Sequence, residues 1–583
     1  MISVFFLCFL ATCSAMMFDI CDYGARISDC LQTESIQKAI DAAGSNGGGI
    51  VRIPEGRYRT GGLVLRSNVT IKLEDGAILE ASRNPDDYPG SNRWYRGIIR
   101  ADGVKNVGIE GGRFSMINGM NCFDPLGEEN YRGPHALLFI NCTNINLSGY
   151  SIYDSGNWAH AIFHSRNVHI NDVKVYGGHD ACDVHDSEDV LVENCKLYTG
   201  DDGIAGFGNY RCTVRDCIID SGCQAIRFGG NDCLFERCHT AYPPSFGHRY
   251  SLSDEEKRLA VNHGEVLQHK TIAGFLYYCD ERWKITRRQE NIRLKDCTFD
   301  HPGRFFRMNF DGRNQWCCNK PLVSISFENC RFLGLQTPAT VYGDESDPIE
   351  MVFKNCHFAA DRETSGEILT AYNFKRLVFE NPTFERYVNP HIITRSKGDV
   401  VITGSVLQSR YKPDDADKIY SLEEIYSLLQ KMPVDSAAWL KWQQSIPISD
   451  ESLWDEQRGL YVLKSDPAKL DVWGSIFAVF RGETKHQKRI AYSIRRRYGY
   501  YVGWNNKGMV ATTDRGELSS LPAGAFAYAL FLHDALPARA FLTDFLRTPG
   551  KTPVETAGVK LAVQKMLKKK EGDVATAFCK IRR

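Results

Sequence analysis

Short alternations of apolar and polar residues recur down most of this chain. Val69-Thr70-Ile71-Lys72-Leu73 is one of them, and stretches with a period of two predict half-buried β-strands. From residue 109 the alternation becomes a repeat: IEGGRF (109–114), LSGYSI (147–152), INDVKV (170–175), VENCKL (192–197), VRDCII (214–219) and FERCHT (235–240). It resumes as LKDCTF (294–299), FENCRF (327–332), FKNCHF (353–358) and FENPTF (379–384), ending near ITGSV (402–406). The copies at 170, 192, 214 and 235 are separated by 22, 22 and 21 residues. Each is a short strand, a turn on Gly, Asn or Asp, and a second short strand. Such a period predicts an all-β, single-stranded parallel β-helix in which every coil stacks on the last, with stacked strands about 4.8 Å apart.

The flanks read differently. SIQKAIDAA (35–43) has helical spacing and predicts a helix capping the open N-terminal end of the solenoid, where it would cover an unpaired strand edge. The 241–293 stretch is too long for one coil and predicts a large loop walling a binding groove. Beyond residue 408, SLEEIYSLLQKM, HQKRIAYSIRRRY and PARAFLTDFL are helical in period. The expected organisation is a β-helix over 16–408, a linker over 409–433 and an α-helical accessory domain over 434–583. The apolar run MISVFFLCFLATCSA predicts a signal peptide over 1–15, without its basic n-region, and hence a secreted or periplasmic protein.

Lys+Arg and Asp+Glu both number 71, so no basic excess points to nucleic acid, and no apolar segment is long enough to span a bilayer. The expected protein is a monomer. Nineteen of the 20 cysteines precede residue 357, and Cys195, Cys217, Cys238, Cys297, Cys330 and Cys356 share one repeat position. They are expected to form an inward ladder of buried thiols rather than disulfides or a metal site.

The repeat gives TGDDGIAGFG (199–208) geometric content. One coil back from Asp202 is Asp180; one coil on is Gln224. The companion column reads Asp183, Ala205, Arg227. Clustered carboxyls cannot all ionise freely, and an acid beside an ionised base suits glycosidic bond cleavage. Asx turns at coil corners, or a calcium site, remain open at this point.

The runs DYGARISDCLQTESIQKAIDAAGSNGGGIVRIPEGRYRTGGLVL and GPHALLFINC through TGDDGIAGFG resemble the polygalacturonase family, glycoside hydrolase family 28. With the repeat, the likeness covers roughly residues 18–408. It implies a right-handed helix, no metal or cofactor, and inverting hydrolysis of a pectin-like, galacturonic-acid-containing glycan. Its catalytic aspartates fall on Asp180, Asp201 and Asp202, with Asp201 as general acid and the other two holding and activating water. The departures bear on substrate. Gly178-His179-Asp180-Ala181 loses the family's Asn and Gly, and Gly222-Cys223-Gln224 stands where the family has Gly-His-Gly. The carboxylate-gripping Arg-Ile-Lys has its nearest counterpart in Arg307-Met308-Asn309. Expected substrate contacts are His179, Asp183, Arg227, Arg307 and Trp158.

LWDEQRGLYV and LDVWGSIFAVFRG weakly resemble pieces of α-helical toroid glycosidases, with Trp454 and Trp473 expected to pack or to touch carbohydrate. Two other functions stay open: a β-helix polysaccharide lyase using Arg227, and a catalytically inactive glycan-binding solenoid.

Overall fold

The computed structural model describes residues 16–249, 271–313, 316–413, 418–446, 450–482, 484–498 and 521–581, with 253, 255, 510–511 and 518–519 between them. The expected leader at 1–15 lies outside the described residues.

Twenty-five strands form one parallel sheet that wraps two faces of a solenoid, and twelve more form the third face. One coil is His160–Phe163, Arg166–Asn171 and Lys174–Gly177; the next is Cys182–His185, Glu188–Glu193 and Lys196–Thr199. Equivalent residues stack in register, as Val168 on Val190 on Cys212. The core is filled by such columns. Phe327, Phe353 and Phe379 stack with ring centroids 4.9 and 4.7 Å apart and planes nearly parallel.

The repeat's Asn/Asp-Cys pair has two separate causes. Asn194, Asp216, Asp296, Asn329 and Asn355 all have left-handed backbone angles, φ 52 to 56°. Asn and Asp tolerate that region better than other residues with a Cβ. Their side chains also bond along the axis, Asn355 Nδ2 donating to Asn329 Oδ1 at 3.2 Å and Asn329 Nδ2 to Asp296 Oδ1 at 2.9 Å. The next residue turns inward, so the six ladder cysteines are buried. Their thiols donate to backbone carbonyls, Cys330 Sγ to Leu294 O at 3.5 Å among them. The cysteines from Cys21 to Cys356 are all free.

The helix Thr33–Ser45 covers the N-terminal end, burying Ile36, Ala39, Ile40 and Ala43. At the other end the last paired strand is Gln408–Tyr411. Helices begin at Leu422–Gln430, inside the stretch expected as linker. Ser421 and Glu424 form a capping box there, and Leu422, Ile425 and Leu429 join a second apolar cluster built by the later helices. Trp473 packs inside that cluster, and Trp454 stacks on His486 at 3.8 Å. No helix among the described residues is long and apolar enough to cross a membrane.

The helices dock against the coils. Arg313 forms a two-pronged pair with Asp544 at 2.9 and 2.6 Å, and Arg539 reaches Glu345 at 3.2 Å. Glu281 meets His533 and the fully buried Arg495, whose NH1 donates to Gly312 O at 3.2 Å.

Candidate active site

Lys174–Gly177 and Lys196–Thr199 pair in register, so the turns that follow them stack, with Ala181 N–H donating to Asp202 O at 3.0 Å. The carboxyl groups of Asp180, Asp201 and Asp202 each contribute an oxygen to a cluster within 4.8 Å. They line a cavity of about 310 Å³ whose wall also holds Arg132, Arg227, Arg282, Arg307, His248 and Trp158.

Each carboxyl has a different environment. Arg132 donates to Asp201 Oδ2 at 3.1 Å, and His248 Nε2 stands 2.9 Å from the same oxygen. Arg227 donates to Asp202 Oδ2 at 2.8 Å. Asp180 Oδ1 and Asp202 Oδ1 are buried with no hydrogen-bond partner, and buried polar atoms of that kind call for water or a ligand.

Their protons follow. Burial, then the charges of Asp183, Asp201 and Asp202, drives the Asp180 carboxyl well above the ordinary range. Burial also pushes Asp201 up, but His248 and Arg132 outweigh it and hold Asp201 well below. Asp202 is raised by burial against the pull of Arg227. At rest the proton of the Asp180–Asp201 pair therefore sits on Asp180. His248 is disfavoured as a cation by burial, yet the Asp201 charge beside it raises its pKa overall.

The expected substrate contacts divide. Trp158, Arg227 and Arg307 line the cavity; His179 and Asp183 do not. Arg227 lies over the Tyr278 ring at 3.9 Å and the Trp316 ring at 4.8 Å, a geometry that fixes its direction. Arg307 reaches the cavity from one coil beyond Leu276, which itself stacks on Arg227. His179 is buried behind Tyr131 with its Nε2 2.9 Å from Arg249. Asp183 sits under the site, its Oδ1 3.2 Å from His185 Nε2.

Asp183 is 1% exposed, and burial raises its pKa from 3.8 to about 8. The folded state thus holds a proton that the unfolded chain releases near pH 4. The resulting cost is absent below that pH and grows as pH rises toward 8. Thermal stability is expected to fall over this range, and Asp183→Asn to flatten the fall. A variant whose melting temperature tracks the wild type across pH 4–8 would contradict the assignment.

Residues absent from the expected set complete the wall. Arg132 and Arg282 line the cavity, and His248 comes from the 241–293 stretch expected to wall it. None belongs to a repeat column, so the coil period could not point to them. Two groups have the donor chemistry for a cation: the three aspartates, and Asp201 with Cys223 and His248. Arginines already neutralise Asp201 and Asp202, which weakens both as metal sites.

Residues 49–229 match the family model described as Glycosyl hydrolases family 28. These coils are similar to that family, over less than half of the chain. Over 80 residues the chain is 40% identical to the exo-poly-alpha-D-galacturonosidase of Dickeya chrysanthemi, a match spanning 14% of this chain and 13% of that protein. A probable polygalacturonase of Vitis vinifera is 24% identical over 221 residues, 33% of this chain and 45% of that one. The matched stretches thus span less than half the length of either relative. The family 28 exopolygalacturonase of Yersinia enterocolitica superposes with a TM-score of 0.46 at 17% identity, covering 69% of this chain and 78% of that one. Cys223 stands where the resemblance led a histidine to be expected, and an imidazole reaches Asp201 from His248.

Proposed function

We propose that this protein is a secreted, monomeric glycoside hydrolase that cleaves pectin-like, galacturonic-acid-containing polysaccharide or oligosaccharide by an inverting acid/base mechanism. One observation carries the proposal: Asp180 and the Asp201–Asp202 pair on the next coil bring their carboxyls within 4.8 Å in a cavity also lined by four arginines. The arginines suit a uronate carboxylate; the aspartates suit general acid and base catalysis.

Asp180 and Asp201 act as one acid, holding a single proton between them, which Asp201 passes to the leaving oxygen. Asp202 is the base. The unpartnered oxygens Asp180 Oδ1 and Asp202 Oδ1 hold the attacking water. Oxygens within 4.8 Å of each other are close enough to be bridged by one water, at about 2.8 Å to each. That is tighter than the roughly 6.5–9.5 Å between an inverting pair that flanks the sugar ring, because here the water lies between two carboxyls of one cluster. The helices beyond residue 421 are assigned no activity of their own.

The lyase alternative loses its base. Burial opposes the Arg227 cation, but Asp202 and Tyr278 outweigh it, so the guanidinium stays charged. The purified protein should be incubated with polygalacturonate, rhamnogalacturonan and their oligosaccharides while reducing ends, ultraviolet absorbance and the anomer released are followed. New reducing ends of inverted configuration, without absorbance, are expected. Retained configuration would overturn the water assignment, absorbance rising in step would mean elimination, and binding without cleavage would leave a glycan-binding solenoid.

A further inference from the structure

Most outward arginines on the coils meet an acid one coil away: Arg211 reaches Asp189 at 2.6 Å, Arg215 reaches Glu193 at 2.6 Å and Arg237 reaches Asp216 at 2.7 Å. On the twelve-stranded sheet Arg57 keeps this pattern with Glu80 at 2.8 Å, but the outer face further along breaks it. There Lys174 and Lys196 are direct register partners, both exposed, and no ion pair is recorded for either among the described residues. Like charges opposed on neighbouring strands destabilise a sheet, so packing gives no reason for the pair.

Beside the lysines runs a column of half-buried tyrosines. Tyr153, Tyr176 and Tyr198 stack with centroids 4.6 and 5.2 Å apart and planes 21° and 5° from parallel. The column ends at a depression of about 440 Å³ lined by Tyr153, Tyr176, Lys174, Arg113, Phe114 and one acid, Asp172. Phe114 is 81% exposed and holds a left-handed φ of 61°. It stands at the left-handed corner that Gly149, Asp172 and Asn194 fill in the following coils, so the turn of the coil itself holds this ring out toward solvent. Arg113 is exposed, and it too has no recorded ion pair among the described residues.

We propose that this strip is a second glycan-binding site, distinct from the catalytic cavity, which takes a polyuronate chain laid along the coil axis. Lys174, Lys196 and Arg113 face its carboxylates, one per sugar. Phe114 and the tyrosine edges meet the apolar faces of the rings. Tyr176 and Tyr198 immediately precede the turns that carry Asp180 and Asp201–Asp202, so a chain held here lies at the corner next to the catalytic turns. The choice of polymer rests on the proposed hydrolase activity.

The test uses Asp202→Asn protein as parent, so that the polymer stays uncut, and compares it with the same protein carrying K174E and K196E together, or F114A. Retardation in gels containing polygalacturonate measures polymer binding, with an uncharged glucan as control. Hydrolysis of a galacturonide trimer is followed with the same strip substitutions in the wild-type background. The lysine pair is expected to weaken polymer binding about tenfold or more, F114A to weaken it less, and trimer hydrolysis to stay unchanged. Polymer binding equal to the parent's in both variants would overturn the strip and leave the proposed reaction standing. Loss of trimer hydrolysis would place the lysines' effect in the catalytic cavity and also overturn the strip. If the wild type cleaves no uronan, yet the parent binds polygalacturonate and the lysine variant does not, the strip stands and the reaction falls.

Discussion

Asp202→Asn is expected to cut galacturonan hydrolysis by about 10²- to 10⁴-fold, the usual contribution of a positioned general base, with oligosaccharide affinity changed little. The Asp202 side chain is 1% exposed, and its Oδ2 is occupied by Arg227. Only Oδ1 remains to take a proton from water. Asparagine keeps the shape and one acceptor oxygen but cannot accept that proton. Initial rates by reducing-end release, set beside binding of a short galacturonide, separate the two effects. Activity within about tenfold of the wild type would place the base elsewhere in the cavity.

Arg227→Ala is expected to move the acidic limb of the rate profile upward by roughly 1–3 pH units, the range over which one close cation shifts a carboxylate. The sign follows from the balance at Asp202, which burial raises and Arg227 lowers. Without the guanidinium the carboxyl holds its proton to higher pH, and the base is ionised only there. A second effect accompanies it: KM for acidic oligosaccharide rises because a cavity cation is lost. Arg227→Lys keeps the charge and should recover part of the limb, though not the stacking on Tyr278 and Trp316. An unmoved limb in the alanine variant would show that Asp202 is not the titrating base.

The parts of this architecture that were legible in the sequence are those a translation repeats. The coil period put Asp180 one coil from Asp202 and aligned Asp183, Ala205 and Arg227; that second column stands in the structure, and Ala181 N–H donating to Asp202 O stacks the two aspartate turns. The Asn/Asp-Cys position was visible because a left-handed turn and an inward thiol recur at every coil. What stayed hidden lies off the columns. His248 and Arg132 reach Asp201 from loops, where no period constrains the chain. Burial was also invisible: His179 and Asp183 sit beside Asp180 in sequence, yet covering rings and side chains close them off from the cavity. The helix at Leu422–Gln430 was readable as a helix, but its apolar face could be assigned to the second cluster only once its neighbours were placed.

The stacked turns also say what sets the spacing of the reactive groups. Ala181 donates to Asp202 O and Gly203 to Gln224 O, so the rise between aspartates is that of the backbone ladder itself. The solenoid acts as a ruler whose unit is one hydrogen-bonded step, and side chains around a turn can change without altering the graduations. That is how this chain can lack the asparagine, glycine and histidine of the motifs and still hold Asp180 one step from the Asp201–Asp202 pair. Substitutions beside the aspartates retune charge and access, whereas an insertion between the coils would shift the marks themselves.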